Sequence, residues 1–382
     1  MKLYEHEAKT IFSTYGIPTP KGEVVTTISQ AREAADKLGG PLAIKAQVLV
    51  AGRGKAGGIV FADTAEESEE SAEKLLQTKV KGIPVTKLLV EEKVSVKRQL
   101  YFGVTVDRFN RCYVGIASGV GGVDIQEVAR EQPEKILIRI INPQLGFRDF
   151  NARQLARDLG YGGQVMLRLA DVFRKMYEAG QELDAELIEM NPLVETEGGE
   201  FIAVDARIIL DDNALFRHPE FATLRKTERR ELDSVEFEAL KQGLDYVKLD
   251  GDIGVVGNGA GLVMATLDMI NFYGGQPANF LDMGGGAPLE RIAAALKIVF
   301  SDPNVEVVFV NILGGITLCD EVARGLIQTK QQLRTDKPFV VRLVGTNEDE
   351  GKLLLAEAGL QTFNSMQEAA QEVVRLARKE VA

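Results

Sequence analysis

The 382-residue sequence predicts an α/β protein that is built from two domains. After residue 245, short apolar segments alternate strictly with glycine-rich loops and helical segments. This alternation is typical of a doubly wound parallel sheet. Before residue 216, the apolar segments form hairpin patterns, and the stretch between these two parts is charged and poor in strand-forming residues. We therefore predict one domain over residues 1–235 and a second over residues 236–382.

The composition excludes several classes of protein. The net charge of −11 is unfavourable for binding a nucleic-acid backbone. No apolar run approaches the ~18 residues of a membrane span, and the N-terminal segment lacks the features of a signal or transit peptide. We therefore expect a cytoplasmic protein without a membrane partner. Cys112 and Cys319 lie far apart without metal-ligand spacing, which predicts reduced thiols.

The first half is predicted to contain helices and strands in a definite order. Apolar residues at helical spacing predict a helix over residues 2–15, and Thr64 with Glu67 forms a capping-box signature for another that runs to about residue 78. Strands are predicted at 42–46 and at 88–91, the second ending at Glu91. Two hairpins follow, one pairing 100–106 with 111–117 and one pairing 185–191 with 200–205.

The second half is predicted to contain five strand–helix units. The first four strands end in glycine-rich loops at 258–261, 284–286, 314–315 and 345–347, and a short strand near Leu360 precedes a last helix that Ser365 and Glu368 cap. In sheets of this kind, ligands bind beyond the carboxyl ends of the strands. The glycine loops are therefore candidate binding elements.

A glycine-dense loop at 51–58 is the first candidate site. Its glycines allow backbone N–H groups to approach a phosphate, and Arg53, Lys55 and the preceding strand residue Lys45 supply positive charge. It is not a Walker A loop, because no Gly-Lys-Ser/Thr sequence closes it. The alternative interpretation is a flexible surface turn with two solvated cations.

Glu189, Asn191 and Asp205 form the second candidate site. Strand alternation places Glu189 and Asn191 on one face, and the hairpin brings Asp205 roughly opposite Asn191. Oxygen ligands of this kind suit Mg²⁺, which takes one or two protein groups together with substrate phosphates. The alternative interpretation is the polar, solvent-facing side of an antiparallel hairpin.

The third candidate site lies in the glycine loops of the second half. The loop at 258–261 is a weak dinucleotide signature, because Met264 stands where the last glycine is needed. The segment 314–317 opens a helix near Leu318, whose N-terminus attracts an anion. Turn glycines alone are the alternative interpretation. His6 and His218 have no acidic partner at a suggestive spacing, so both are predicted to be structural or surface residues.

Seven motifs in order along nearly the whole chain resemble the β subunit of succinate–CoA ligase: YEHEAKTIFSTYGIPTP, KAQVLVAGRGKAGG, LIEMNPLV, DDNALFRHPE, VGNGAGLVMATLDM, PANFLDMGGGAPLER and VNILGGITLCDEVA. The resemblance implies an ATP-grasp fold for the first domain, with a smaller subdomain at about 20–95, and a flavodoxin-like fold for the second. It implies that succinate, CoA and a nucleoside triphosphate give succinyl-CoA, the nucleoside diphosphate and phosphate, as in the citric acid cycle. A companion α subunit would supply a phosphohistidine and the CoA site.

The resemblance also implies roles for individual residues. It places around the nucleotide the residues Lys45, Gly52, Arg53, Gly54, Glu91, Val94 and Gln99. Asn191 and Asp205 match Mg²⁺ positions, and Glu189 matches a glutamate that meets the partner's histidine. The positions beside the succinyl-phosphate site are Asn258, Gly315, Ile316 and Thr317. Gln99 and Leu318 depart from the family pattern, which has glutamate at the first position in many members and often a basic residue at the second.

Several alternatives stay open at this point. Within the same class, the sequence runs parallel to malate–CoA ligase β subunits, and an acetate-type ligase fits the order of motifs less well. A non-catalytic nucleotide-sensing subunit is disfavoured by Lys45, Glu189, Asn191 and Asp205. A flavodoxin-like redox module leaves the first half unexplained. The sequence does not decide between ATP and GTP as the substrate, or between an αβ heterodimer and an (αβ)2 heterotetramer.

Overall fold

A computed structural model describes residues 1–50, 52–221, 234–286, 288–333 and 337–378. The chain divides into two compact units, residues 1–231 and 232–382, and each unit is described by itself. The boundary expected at residues 235–236 stays a prediction. The middle of the charged stretch, including Arg225 to Glu231, lies outside the described residues.

The described part of the first unit combines a four-stranded sheet, a six-stranded sheet and the two-stranded pair β4-β5 with their helices. Its elements in chain order are α1 (Glu5–Thr14), β1 (Gly22–Val25), α2 (Ile28–Leu38), β2 (Leu42–Ala46), β3 (Ile59–Ala62), α3 (Ala65–Leu76), β4 (Lys79–Val80), β5 (Ile83–Pro84), β6 (Leu88–Glu92), β7 (Arg98–Asp107), β8 (Cys112–Ser118), α4 (Ile125–Glu131), β9 (Ile136–Ile141), α5 (Asp149–Asp158), α6 (Gly163–Glu182), β10 (Ala185–Glu195), β11 (Phe201–Ala203) and β12 (Ala206–Leu210).

The smaller sheet has the strand order β1-β6-β2-β3 and is antiparallel throughout. Its apolar residues pack with α2 and α3 into a separate core. The predicted cap of α3 is confirmed, because Thr64 Oγ1 accepts from the Glu67 N–H and the Glu67 carboxylate accepts from the Asp63 N–H. Every residue of β2 is buried, so Lys45 is held inside the protein by its strand.

The larger sheet has the strand order β11-β10-β7-β8-β9, and β12 also pairs with β10. Its core face carries apolar residues that pack against α5 and α6. At the centre, the rings of Phe102 and Phe173 lie 4.1 Å apart and both are fully buried. The predicted hairpin of β7 and β8 is confirmed, with Asp107 paired to Cys112 at its end.

Two predicted elements of the first unit differ from the structure. Helix α1 begins at Glu5 and not at residue 2, because Lys2 forms a β-bridge with Ile209. The predicted pairing of the second hairpin is also wrong, because residues 185–190 pair with 206–210 and not with 200–205. Strand β10 extends to Glu195 and pairs with both β11 and β12, which was not predicted as a separate strand.

The second unit contains α7 (Ser234–Lys241), β13 (Asp245–Lys248), β14 (Ile253–Gly257), α8 (Ala260–Phe272), β15 (Asn279–Asp282), α9 (Leu289–Ser301), β16 (Val307–Gly314), α10 (Cys319–Leu333), β17 (Phe339–Gly345), α11 (Glu348–Glu357), β18 (Thr362–Phe363) and α12 (Met366–Ala377). The sheet order is β13-β15-β14-β16-β17-β18.

The five strands from β14 to β18 are parallel, as predicted, and their order is 2-1-3-4-5 in chain numbering. This is the flavodoxin-like order, in which ligands bind at the switch point between the first and third strands. Strand β13 was not predicted and pairs antiparallel with β15 at the sheet edge. Apolar cores on both faces explain why the central strands are continuous apolar runs.

Candidate functional site

A buried cluster of charged side chains lies where β2, β6 and α1 of the first unit meet. Lys45 Nζ is 2.5 Å from Glu91 Oε1 and 3.0 Å from Glu5 Oε1. The same ammonium donates to the Val204 carbonyl at 2.6 Å. The smaller sheet, α1 and the break between β11 and β12 therefore meet at Lys45, and the predicted residues Lys45 and Glu91 are in contact.

Arg53 extends this cluster from the glycine loop. Its Nη2 contacts Glu5 and lies 2.9 Å from Asp205 Oδ1, and its Nη1 donates to the Ala46 carbonyl at 3.1 Å. Arg53 is only 6% exposed, so a turn with two solvated cations is wrong for this residue. Lys55 does not join the cluster, because it is exposed and pairs with Glu127.

Glu5 and Lys9 belong to the cluster but were not predicted. Lys9 Nζ lies 2.8 Å from Glu5 Oε1 and 2.5 Å from Glu91 Oε2. The two residues share a face of α1 with Ala8 and Phe12, at spacings of three, four and seven residues, and all four are buried. A charged pair on the apolar face of a helix was the signal that would have revealed them.

The charges of the cluster compensate one another. Burial by itself raises the pKa of Glu5, but Arg53, Lys45 and Lys9 outweigh it and hold that pKa well below its usual value. Burial lowers the pKa of Lys45, yet Glu5 and Glu91 reverse the effect and the net direction is upward. For Lys9 burial prevails and the pKa is lowered. Glu5 and Lys45 are therefore held as a carboxylate and an ammonium.

The glycine loop is arranged differently from the expected phosphate cradle. The N–H groups of Ala56, Gly57 and Gly58 donate to carbonyl groups within the loop, at 2.8–3.3 Å. These three amides are used internally. Gly52 has a φ of +69°, a left-handed conformation that favours glycine in the turn before Arg53.

Asn191 lies on β10, and Asp205 lies opposite it in the break between β11 and β12. Leu193 pairs with Ala203 and Met190 pairs with Ala206, so the register sets Asp205 opposite the Asn191–Pro192 segment. Asn191 Oδ1 accepts from the Gly122 N–H at 2.7 Å. Asp205 Oδ1 accepts from the Ala206 N–H at 2.9 Å as well as from Arg53. One amide oxygen and one carboxylate suit a Mg²⁺ ion that is bound mainly by phosphates.

Of the remaining predicted residues of this unit, Gln99 lies next to the loop that contacts Asn191. Gln99 on β7 is beside Gly122, where an added Cβ would be 2.1 Å from its Oε1. Val94 is half-buried in the segment after β6. Within the described ranges, no cluster of three or more His, Cys, Asp or Glu side chains has the geometry of a metal site.

Glu189 has partners of its own. Tyr101 donates to Glu189 Oε2 at 3.0 Å, and Arg207 donates to Glu189 Oε1 at 3.3 Å. Burial and the adjacent carboxylate raise the pKa of Tyr101, so the phenol keeps its proton. Asn191 contacts the loop at 122–123 instead. The side chains of Glu189 and Asn191 thus contact different elements. The prediction that they lie on one face of the strand stays a prediction.

The predicted residues of the second unit converge at the switch point of its sheet. Asn258, after β14, donates to the Leu313 carbonyl at 3.0 Å and to Thr317 Oγ1 at 3.2 Å. Thr317 Oγ1 also accepts from the Gly286 N–H at 2.9 Å. Thr346 donates to the Gly315 carbonyl at 3.0 Å. Four glycine loops are thus joined, and Ile316 projects from them with 83% of its surface exposed.

Gly345 fixes two of these loops together, and its substitution is expected to be costly. Its φ is +128°, and an added Cβ would lie 1.9 Å from the Gly314 carbonyl oxygen. We expect Gly345→Ala to lower the melting temperature of the chain by several degrees or to prevent soluble expression. Calorimetry checks this, with Gly261→Ala as the matched control because its Cβ meets nothing within 4 Å. Equal melting temperatures for both variants would contradict the expected clash.

The side chains of the two histidines have hydrogen-bond partners other than the predicted site residues. His218 has an acidic partner that the sequence did not suggest, because its Nε2 is 2.8 Å from Asp184, 34 residues away. His6 Nδ1 is 3.0 Å from Gln47 Oε1. Their assignment as structural or surface residues stays a prediction. Cys112 and Cys319 are buried free thiols, which confirms that they form no disulfide.

Two family models match the chain. The ATP-grasp domain model matches residues 2–195 and the CoA-ligase model matches residues 256–376. Curated relatives match over nearly all of the chain. The succinate–CoA ligase [ADP-forming] subunit β of Ignicoccus hospitalis is 49% identical over 378 residues, covering 99% of this chain and 100% of the relative. The protein of the same name from Roseiflexus sp. is 46% identical over 379 residues, with the same coverage.

An ATP-grasp domain followed by a CoA-ligase domain defines the class of acid–CoA ligases. Within that class, the chain belongs to the family of succinate–CoA ligase [ADP-forming] β subunits. A solved structure of ATP citrate lyase from Methanothrix soehngenii shares the fold, with a TM-score of 0.72 at 18% identity and 99% coverage of each chain. No helix in the described ranges combines the length and hydropathy needed to cross a membrane. The cytoplasmic location stays a prediction.

Proposed function

We propose that this chain binds Mg-ATP in its first unit and acts with an α subunit to convert succinate and CoA to succinyl-CoA. The observation that carries this proposal is the contact between Arg53 and Asp205 beside the buried Lys45. Family membership over the full length supports succinate above malate or acetate, and the relatives' names support ATP above GTP. A catalytic role is favoured over nucleotide sensing because Lys45, Arg53 and Asp205 are held together in one cluster.

The buried cluster suggests how the chain would bind the nucleotide. Arg53 and Lys45 are neutralised by Glu5, Glu91 and Asp205. A polyphosphate would offer Arg53 a stronger partner than the partly exposed Asp205. Glu5 would hold the Arg53 guanidinium in place while its other contact changes from Asp205 to the polyphosphate. Gly52, Gly54, Val94 and Gln99 would complete the site through the shape of the loop and contacts at its edge.

Asn191 and Asp205 are the residues that would hold Mg²⁺. Their oxygens belong to the ligand class that Mg²⁺ prefers, and the register sets them opposite each other. The ion would neutralise the charge that develops on the phosphates during transfer. Moving Arg53 from Asp205 to the phosphates would leave that carboxylate ready for the ion.

The proposed partner is the α subunit of the same ligase, which would bring the phosphorylated histidine and the main CoA site. The hydrogen-bond partners of the His6 and His218 side chains are Gln47 and Asp184, and neither partner is a phosphate-binding candidate. Glu189 would meet the partner's histidine near the nucleotide. Asn258, Gly315, Ile316 and Thr317 would border the succinyl-phosphate in the second unit.

The test is to co-express this chain with an α subunit and measure thioester formation from succinate, malate and acetate with ATP and with GTP. We expect succinate and ATP to give the highest kcat/KM. Arg53→Met should raise the KM for ATP at least about tenfold, since a charged hydrogen bond is lost. Lys55→Met is the matched control, because Lys55 lies in the same loop but outside the cluster, and its KM should not change. Equal KM values for both variants, or a preference for malate, would contradict the proposal.

A further inference from the structure

The position of Glu189 in its sheet determines which residues reach its carboxylate. On β10, Glu189 pairs directly with Gly103 of β7 on one side and with Arg207 of β12 on the other. Tyr101 precedes Gly103 by two residues and is therefore the diagonal neighbour on the same face. Glu189 thus has a cation on one flank and a phenol on the other.

Gly103 makes the contact from Tyr101 possible. A Cβ built on Gly103 would lie 2.5 Å from the Tyr101 hydroxyl oxygen and 3.0 Å from its Cζ. The Tyr101 ring therefore crosses the surface that a side chain at residue 103 would occupy. Tyr101 is 3% exposed, so it has little freedom to take another position.

The two contacts fix the orientation of the carboxylate. Tyr101 binds Oε2 and Arg207 binds Oε1, so rotation about the last side-chain bond would break both hydrogen bonds. Each carboxylate oxygen has a second lone pair that can accept from an imidazole N–H. The Glu189 side chain is 15% exposed, which leaves a narrow approach to it.

We propose that Tyr101, Arg207 and Gly103 are positioning residues that hold the Glu189 carboxylate for phosphoryl transfer to the partner's histidine. This inference rests on the proposed function, since it concerns the same transfer. Proper orientation of a group that meets a reacting side chain affects the rate steeply, because small displacements lose the reactive geometry. Nucleotide binding depends on other residues and should be unaffected.

The experiment is a single-turnover measurement of phosphate transfer from ATP labelled in the γ-phosphate to the α subunit, in the assembled complex. We expect Tyr101→Phe and Arg207→Gln each to slow transfer about tenfold, as expected for the loss of a hydrogen bond to a charged group. Gly103→Ala should slow it similarly although all three functional side chains remain. The affinity for ATP should stay within about twofold of the wild type.

Coupling to Glu189 distinguishes positioning from a general structural effect. Glu189→Gln alone should slow transfer, and adding Tyr101→Phe or Arg207→Gln to it should have no further effect, because all act through one carboxylate. Tyr113→Phe is the matched control, since its hydroxyl donates to the Ala185 carbonyl on the same sheet. It should transfer at the wild-type rate.

The outcomes separate this inference from the function on which it rests. If the wild-type complex transfers no phosphate to the α subunit, the proposed function fails. If the wild type transfers and Glu189→Gln is slow, but Tyr101→Phe and Arg207→Gln are normal, the positioning inference is overturned. It is also overturned if adding either substitution to the Glu189→Gln protein slows transfer by the same factor by which that substitution slows the wild type.

Discussion

Glu5→Gln is expected to lower the free energy of unfolding of the chain by about 3–5 kcal/mol at neutral pH, the range observed when one partner of a buried ion pair is removed. The Glu5 side chain is 2% exposed and contacts Lys9, Lys45 and Arg53. Without its charge, three buried cations would share only Glu91 and Asp205. A urea titration followed by circular dichroism measures the loss, since the chain has no tryptophan.

A surface ion pair provides the matched control for Glu5. Glu66 pairs with Arg32 at 3.1 Å, but its side chain is 68% exposed. Glu66→Gln should therefore change the free energy of unfolding by less than about 1 kcal/mol. Similar values for the two variants would show that burial of the Glu5 pairs has no special energetic role.

The pH dependence of the Glu5 effect has a definite sign. Neighbouring cations hold the pKa of Glu5 well below its ordinary value of 4.5 in the folded chain. Its ionised form therefore stabilises the fold above pH 4.5, and this contribution is lost as the pH falls through the lowered pKa. The difference between the wild type and Glu5→Gln should accordingly shrink in acid and stay constant from pH 5 to neutrality.

Glu5 also shows where prediction from the sequence ends. Lys45 and Arg53 were identified from local chemistry, because a cation within or before a glycine loop suggests phosphate binding. Their partners come from far along the chain. Arg53 and Asp205 are 152 residues apart, and Lys45 and Glu5 are 40 residues apart. Only tertiary packing determines such pairs, so Glu5 was not predicted, and Glu91 and Asp205 were predicted as site residues but not as the partners of these cations.

For the fold as well, elements with a strong local sequence pattern were predicted and elements without one were missed. The parallel strands from β14 to β17 were predictable because glycines follow each apolar run. Strand β13 was missed because its four residues, DYVK, form a half-exposed edge strand next to a charged stretch. The pairing of β10 with both β11 and β12 depends on a break at Val204 and Asp205, whose N–H groups point to the Pro192 carbonyl. Neither feature has a strong local pattern.

Asp205→Asn is expected to reduce phosphorylation of the α subunit at least about 100-fold at limiting Mg²⁺, because a metal ligand that neutralises transferring phosphates would lose its charge. The substitution keeps the size of the side chain and its contact with the Ala206 N–H. Titration of the transfer rate with Mg²⁺ at saturating ATP measures the effect. The curve for Asp205→Asn should shift to higher Mg²⁺ concentrations, whereas that of Asp36→Asn, an exposed residue on α2, should match the wild type.

The shape of that titration separates the two roles that Asp205 has in this geometry. Asp205 contacts Arg53 at 2.9 Å, so it could matter only by holding the guanidinium near the glycine loop. In that case Asp205→Asn would raise the KM for ATP and leave the Mg²⁺ curve unchanged, which would contradict the metal assignment. If Asp205 exchanges Arg53 for Mg²⁺ as the nucleotide binds, the Mg²⁺ dependence must shift. Arg53→Met with intact Asp205 should then retain a normal Mg²⁺ curve while its KM for ATP rises.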